Sequence, residues 1–131
     1  MNTLEVQDFN FKLSQVKKSI TDAEIDKGLV NIKGKIYSTV GLRIVKLREH
    51  FGIAISVEFI IRENTDDKVT MECKIYLNGE DKSHLLSNGF AEKKRSLNFI
   101  TKNSCIEFCQ TSSLGRACAG LGIIGDYNIA S

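Results

Sequence analysis

Apolar residues recur near the start of the chain at Phe9, Leu13, Val16 and Ile20, every three or four positions. This spacing predicts a helix from about Leu4 to Ile25, with a polar exit over Thr21 to Gly28. From Leu29 to Ser38 the pattern changes to alternation, with Val30, Ile32 and Ile36 on one face and Asn31, Lys33, Lys35 and Tyr37 on the other, as in one half-buried strand with a basic, aromatic outer face. Thr39 can cap a second helix running to about His50, whose Val40, Ile44, Leu47 and Phe51 form a stripe that Gly52 ends.

Alternation resumes at Ile53, Ile55, Val57, Phe59 and Ile61, and again, beyond a turn at Asn64 to Asp67, at Val69, Met71, Cys73, Ile75 and Leu77. Two such runs across a short polar turn predict a hairpin. A turn at Asn78 to Lys82 leads to a weaker strand, Ser83 to Glu92, then to a polar connector carrying Lys93, Lys94 and Arg95. Helical spacing returns from Lys102 or Asn103 to about Leu121, with Ile106, Cys109, Ala117 and Leu121 apolar and Ser112, Ser113, Gly115, Ala119 and Gly120 small. The expected fold is α+β: a small antiparallel sheet, made of a three-stranded meander plus an N-terminal strand, packed on one face by helices. A length of 131 residues suits one domain, with an N-terminal helix over 1–28 and a β/α core over 29–131.

Composition adds exclusions. No apolar run approaches the ~20 residues that cross a bilayer, and the N-terminus lacks a signal-peptide pattern, which leads us to expect a soluble, intracellular protein with no membrane role. Cys73, Cys105, Cys109 and Cys118 fall at apolar positions of strand and helix, as reduced, packed thiols do. His50 and His84 sit in no metal or nucleophile motif, and the KGK of Lys33 to Lys35 lacks phosphate-loop spacing. A zinc set of Cys105, Cys109 and His84 is conceivable, but packed cysteines are the commoner reading. Asp66 and Asp67 suit a turn, and Asp126 has no partner acid for magnesium. No residue set supports a hydrolase or nuclease, and the expectation is a protein that is not an enzyme.

The net charge of +2 does not by itself signal nucleic-acid binding, so a basic site must come from clustering. Three clusters are candidates: Lys33 and Lys35 beside Tyr37; Arg43, Lys46 and Arg48; and Lys93, Lys94, Arg95 and Lys102. Arg116 stands among Leu114, Ala117, Cys118 and Leu121, and its burial would require an acid such as Glu107 or a groove that receives phosphate. Cations bind phosphates and an aromatic ring stacks on unpaired bases.

The stretch from Asn103 to Ser131, NSCIEFCQTSSLGRACAGLGIIGDYNIAS, resembles the hallmark helix of the ERF and Sak-type phage single-strand annealing proteins, with Gln110 in place of the usual acid. KGKIYSTVGLRIVKLREHFG, from Lys33 to Gly52, is similar to that family's strand-to-helix entry, and NGFAE, from Asn88 to Glu92, to its segment before the basic loop. The same order of elements is similar to the core of the eukaryotic recombination mediator, where Arg116 matches a DNA-contacting position and Gly115 replaces a lysine. The resemblance implies a phage recombination and repair protein that acts in the cytoplasm of the infected bacterium. It would anneal single-stranded DNA on a basic groove as a ring or filament of identical subunits, with the N-terminal helix or first strand as the oligomerisation element. No cofactor, ATP or metal would be required, and an exonuclease or a single-strand-binding protein would be its protein partners. The rival expectation is a phage adaptor domain that binds protein through its open sheet face; a double-stranded RNA-binding module has a different element order.

Overall fold

A computed structural model describes residues 1–23, 27–95 and 99–123, with side chains from 104 onward in the last stretch. Ile25, Asp126 and the Lys102 side chain lie outside the described residues. The fold is α+β and divides into two compact units, one holding Met1–Ile55 with Ile123 and the other Ser56–Gly122.

The first unit begins with helix α1 (Thr3–Thr21). Asn2 caps it: its side chain accepts from the Glu5 amide while the Glu5 carboxylate reaches back to the Asn2 amide. The buried side of α1 is Leu13, Val16 and Ile20. Helix α2 (Val40–Phe51) starts at Thr39, whose hydroxyl accepts from the Leu42 amide at 3.1 Å, and ends at Gly52, which takes φ +58°. Leu42, Leu47 and Phe51 form its buried stripe, whereas Val40 and Ile44 are half-buried. Between α1 and α2, Phe9 and Phe51 stack at 5.4 Å between centroids, and Ser19 Oγ meets His50 Nε2 at 2.7 Å.

The segment from Leu29 to Ser38 is two strands, not one. Strand β1 (Leu29–Ile32) turns back through Lys33 and Gly34 into β2 (Lys35–Ser38), with Ile32 opposite Lys35 and Val30 opposite Tyr37. Both turn residues have positive φ, 52° at Lys33 and 84° at Gly34, the geometry of a two-residue hairpin turn that matches strand twist. The Asn31 side chain fastens the turn by accepting from the Gly34 amide at 3.0 Å. This reversal changes the faces. Cross-strand partners share a face, so Lys35 and Tyr37 stand beside Ile32 and Val30 rather than opposite them, and Ile32 is exposed. The pair is a separate two-stranded sheet, not a fourth strand of the meander.

The second unit is an antiparallel sheet in the order β3-β4-β5, from β3 (Ile55–Asn64), β4 (Lys68–Asn78) and β5 (Ser83–Lys94), with helix α3 (Phe99–Gly120) laid over β5 and β4. The alternating pattern of β4 is borne out: Val69, Met71, Cys73 and Ile75 are buried on the side of α3. The α3 register differs from the sequence expectation. The helix starts at Phe99 and bends at Ser104, and its buried stripe is Cys105, Cys109, Ser113 and Ala117, which leaves Ile106 exposed and Leu121 half-buried. The small residues set the packing distance. A Cβ added to Gly89 on β5 would stand 2.5 Å from the Ala117 nitrogen and from the Ser113 oxygen, so helix and strand meet backbone to backbone there. Ser87 Oγ adds a hydrogen bond to the Ala117 carbonyl at 2.7 Å. No helix among the described residues is long and apolar enough to cross a membrane.

Candidate nucleic-acid interface

The basic candidates fall in both units. In the first, Lys33 and Lys35 are exposed at the hairpin tip, and Tyr37 is half-buried toward its base. The α2 cations have local partners. Arg43 donates to the Thr39 and Ser38 carbonyls at 3.4 Å, Lys46 pairs with Glu49 at 3.2 Å, and Arg48 donates to the Ile55 carbonyl at 3.4 Å. Arg43 and Arg48 tie α2 to the segments on either side, whereas the Lys46–Glu49 pair lies within the helix.

In the second unit the basic run is not a loop. Lys93 and Lys94 are the last residues of β5, paired with Val69 and Lys68, so they point to opposite faces of the sheet. Lys94 is exposed on the open face, and Lys93, half-buried on the α3 side, accepts the Cys105 thiol on its carbonyl at 3.3 Å. Arg95 braces the β3–β4 turn, its Nε donating to the Thr65 carbonyl at 2.8 Å and its Nη2 to the Asn64 side chain, while its backbone amide donates to Asp67 at 2.8 Å. It reads as a structural residue.

Arg116 is exposed, not buried, and its Nη1 donates to the Phe90 carbonyl at 2.6 Å. The apolar neighbours that suggested burial lie around the helix rather than over the guanidinium. Phe90, on edge strand β5, is 49% exposed on the open face, the same face as Lys94 four residues on. Arg116, Phe90 and Lys94 thus place two cations and an exposed ring along one edge of the sheet.

A polar network on the open face was not foreseen. Glu72, on the central strand, is 4% exposed; it accepts from Arg62 on one oxygen and from Asn88 at 3.0 Å on the other. These donors, Asn88 first, hold its carboxyl below the ordinary range against the opposing effect of burial. Alongside, Lys68 pairs with Glu92 at 3.1 Å and Glu63 at 3.6 Å, and Tyr76 donates to Glu58 at 3.0 Å. The sequence signal for Glu72 is its outward phase in MECKIYL; the partners come from strands on either side.

The zinc arrangement is excluded by β5 itself. Cys105 packs against Lys93 and Cys109 against Val69 and Ala91, whereas His84 sits nine residues back along the strand, about 30 Å away. All four cysteines are buried and none is in a disulfide. Among the described residues no cluster of three or more His, Cys, Asp or Glu could hold a metal.

No protein-family model matches the sequence, and no curated protein matches it. The class the structure defines is an α+β protein with a two-stranded and a three-stranded antiparallel sheet.

Proposed function

We propose that this protein binds single-stranded DNA and promotes annealing of complementary strands without catalysing a covalent reaction, in the manner of the phage annealing proteins its sequence resembles. One observation carries the reading most directly. Two of the three segments with that resemblance, NGFAE and the small-residue helix, pack on each other at Gly89, Ser113 and Ala117, and the contact sets exposed Arg116 beside exposed Phe90. A guanidinium held on the main-chain carbonyl of a residue whose ring faces solvent suits an extended strand, because the cation takes a phosphate and the exposed ring takes a base.

In this reading Arg116, Lys94 and Phe90 form one contact surface, and Lys33, Lys35 and Tyr37 on the hairpin form a second, with Arg43, Lys46 and Arg48 in support. Lys93, Lys102 and Arg95 take lesser parts, since Arg95 is engaged with its own turn. Self-association through α1 or the β1–β2 hairpin would join such surfaces along a strand. Cytoplasmic action in a phage-infected bacterium, with an exonuclease or single-strand-binding protein as partner, belongs to the same proposal.

A second reading has its own support. The cations Arg62 and Lys68 on the open face are matched by Glu72, Glu92 and Glu63, as on a surface that meets protein rather than phosphate. Fluorescence polarisation with labelled oligo-dT at two salt concentrations separates the two. Binding that weakens by roughly 0.7 log units per log unit of salt for each phosphate contact, falls in Arg116→Ala and accompanies faster annealing supports the DNA reading. No binding at low salt leaves the protein-binding surface.

A further inference from the structure

The two edges of the three-stranded sheet are treated differently. The β5 edge is interrupted by an irregularity opposite Ile75 and Tyr76, and Arg116 occupies the Phe90 carbonyl. Bulges and side chains of this kind blunt an edge against further pairing. Along β3, no strand pairs beyond it among the described residues. The side-chain contacts Ser56–Asn78, Glu58–Tyr76 and Arg62–Glu72 show that the even-numbered residues of β3 face the open side. The odd-numbered ones carry an apolar row, Val57, Phe59 and Ile61, that α3 leaves partly uncovered: Ile61 is 50% exposed.

The sequence of β3, ISVEFIIREN, is self-complementary when laid antiparallel on itself about Ile60. In that register Glu58 faces Arg62 and Arg62 faces Glu58 on the open side, while Phe59 faces Ile61 and Ile61 faces Phe59 on the other. Ser56 faces Asn64 at the ends. Sliding the register by two residues breaks both ion pairs, and parallel pairing in register sets Glu58 on Glu58 and Arg62 on Arg62. Opposite charges directly across a strand pair stabilise it and like charges destabilise it. Glu58 is exposed, and Arg62, although bonded to Glu72 through Nε and Nη2, keeps Nη1 and is 48% exposed.

We infer that β3 is a homodimerisation edge, pairing antiparallel with β3 of a second copy about a two-fold axis at Ile60 to make one continuous six-stranded sheet. The main-chain groups of the edge supply the bonds, and the side chains set the register. A two-fold contact of this kind closes on itself and uses the same residues from both copies. It does not depend on the chain binding DNA, and it is separate from α1 and the β1–β2 hairpin.

Site-specific cross-linking tests the register. Directly opposed residues of a strand pair have Cα atoms about 4.5–5.5 Å apart, within disulfide range. In the Ile60→Cys variant, oxidised glutathione should couple the two introduced thiols into one disulfide, itself reduced to two glutathione thiols. Ser56→Cys should not couple, because position 56 faces position 64 of the other copy. The four native thiols are buried and should stay silent. In sedimentation equilibrium without DNA, the wild type should show a monomer–dimer equilibrium that Glu58→Lys weakens by about tenfold, with the far-UV circular dichroism spectrum of the folded protein retained. A strict monomer at all concentrations overturns the inference, as do cross-linking of both variants alike and an associating wild type whose Ile60→Cys variant does not couple.

Discussion

Gly89 of β5 and Ala117 of α3 approach so closely that a single added carbon on Gly89 would meet the Ala117 backbone nitrogen at 2.5 Å. Neither partner can yield by rotating a side chain, since both contacts are to backbone. We expect Gly89→Ala to lower stability by about 1–3 kcal/mol, in the range of overpacked cores, read as a reduced urea midpoint with an unchanged m-value. A midpoint equal to that of the wild type would show that α3 does not sit this close to β5.

The hairpin turn carries a lysine where a positive φ is required. Lys33 holds φ 52°, a region in which asparagine is far more at ease than a long side chain. Lys33→Asn should therefore raise stability by roughly 0.5 kcal/mol and, on the proposed function, lower oligo-dT affinity at the same time. Thermal unfolding and fluorescence polarisation of the one variant read both effects, and opposite signs for stability and binding would separate the backbone role of position 33 from its charge.

Acid should loosen the three-stranded sheet. Glu72 and Glu92 have carboxyls held below the ordinary value of 4.5, Glu72 by Asn88 and Arg62, Glu92 by Lys68 and Thr70. A depressed folded-state value means the unfolded chain binds the proton first as pH falls. The stabilisation is thus complete above 4.5 and disappears as pH drops through the lower folded-state values. Urea titrations across this range should show a declining midpoint, and Glu72→Gln should flatten part of the decline. An unchanged slope in that variant would count against the Arg62–Glu72–Asn88 network.

The thiols should be unreactive until the protein unfolds. Burial pushes the Cys73 thiol up to about 12 and raises Cys109 as well, and all four cysteines are buried. Because the thiolate is the reactive form, Ellman's reagent should find almost no free thiol in the native protein at neutral pH and four after denaturation in urea. Rapid native labelling of even one would place that cysteine at the surface.

Much of the architecture was legible in the residues because it follows from local periodicity and caps. The alternation of β4 and of β3 from Ile55 onward, the stripe of α1 and the Thr39 cap of α2 each depend on neighbours within a few positions, whereas Ile53, expected to begin the β3 run, lies in a 3-10 turn and is 95% exposed. The candidate cations were legible only as types. What each one does depends on what it reaches: Arg95 holds Asn64 and Thr65, thirty or so positions away, and Arg116 holds Phe90 across 26.

Three features were decided by tertiary structure alone. Gly34 permits a reversal but does not demand one, and the alternation of Leu29 to Ser38 is as consistent with a straight strand as with the hairpin that pairing closes. Lys93 and Lys94 look like a loop by composition, yet β4 offers them partners and draws them into the sheet, which sends their side chains to opposite faces. Glu72 is a polar residue at an outward position by sequence. Only the arrival of Arg62 from one neighbouring strand and Asn88 from the other makes its burial affordable, since a carboxylate leaves water only where donors replace the water it loses.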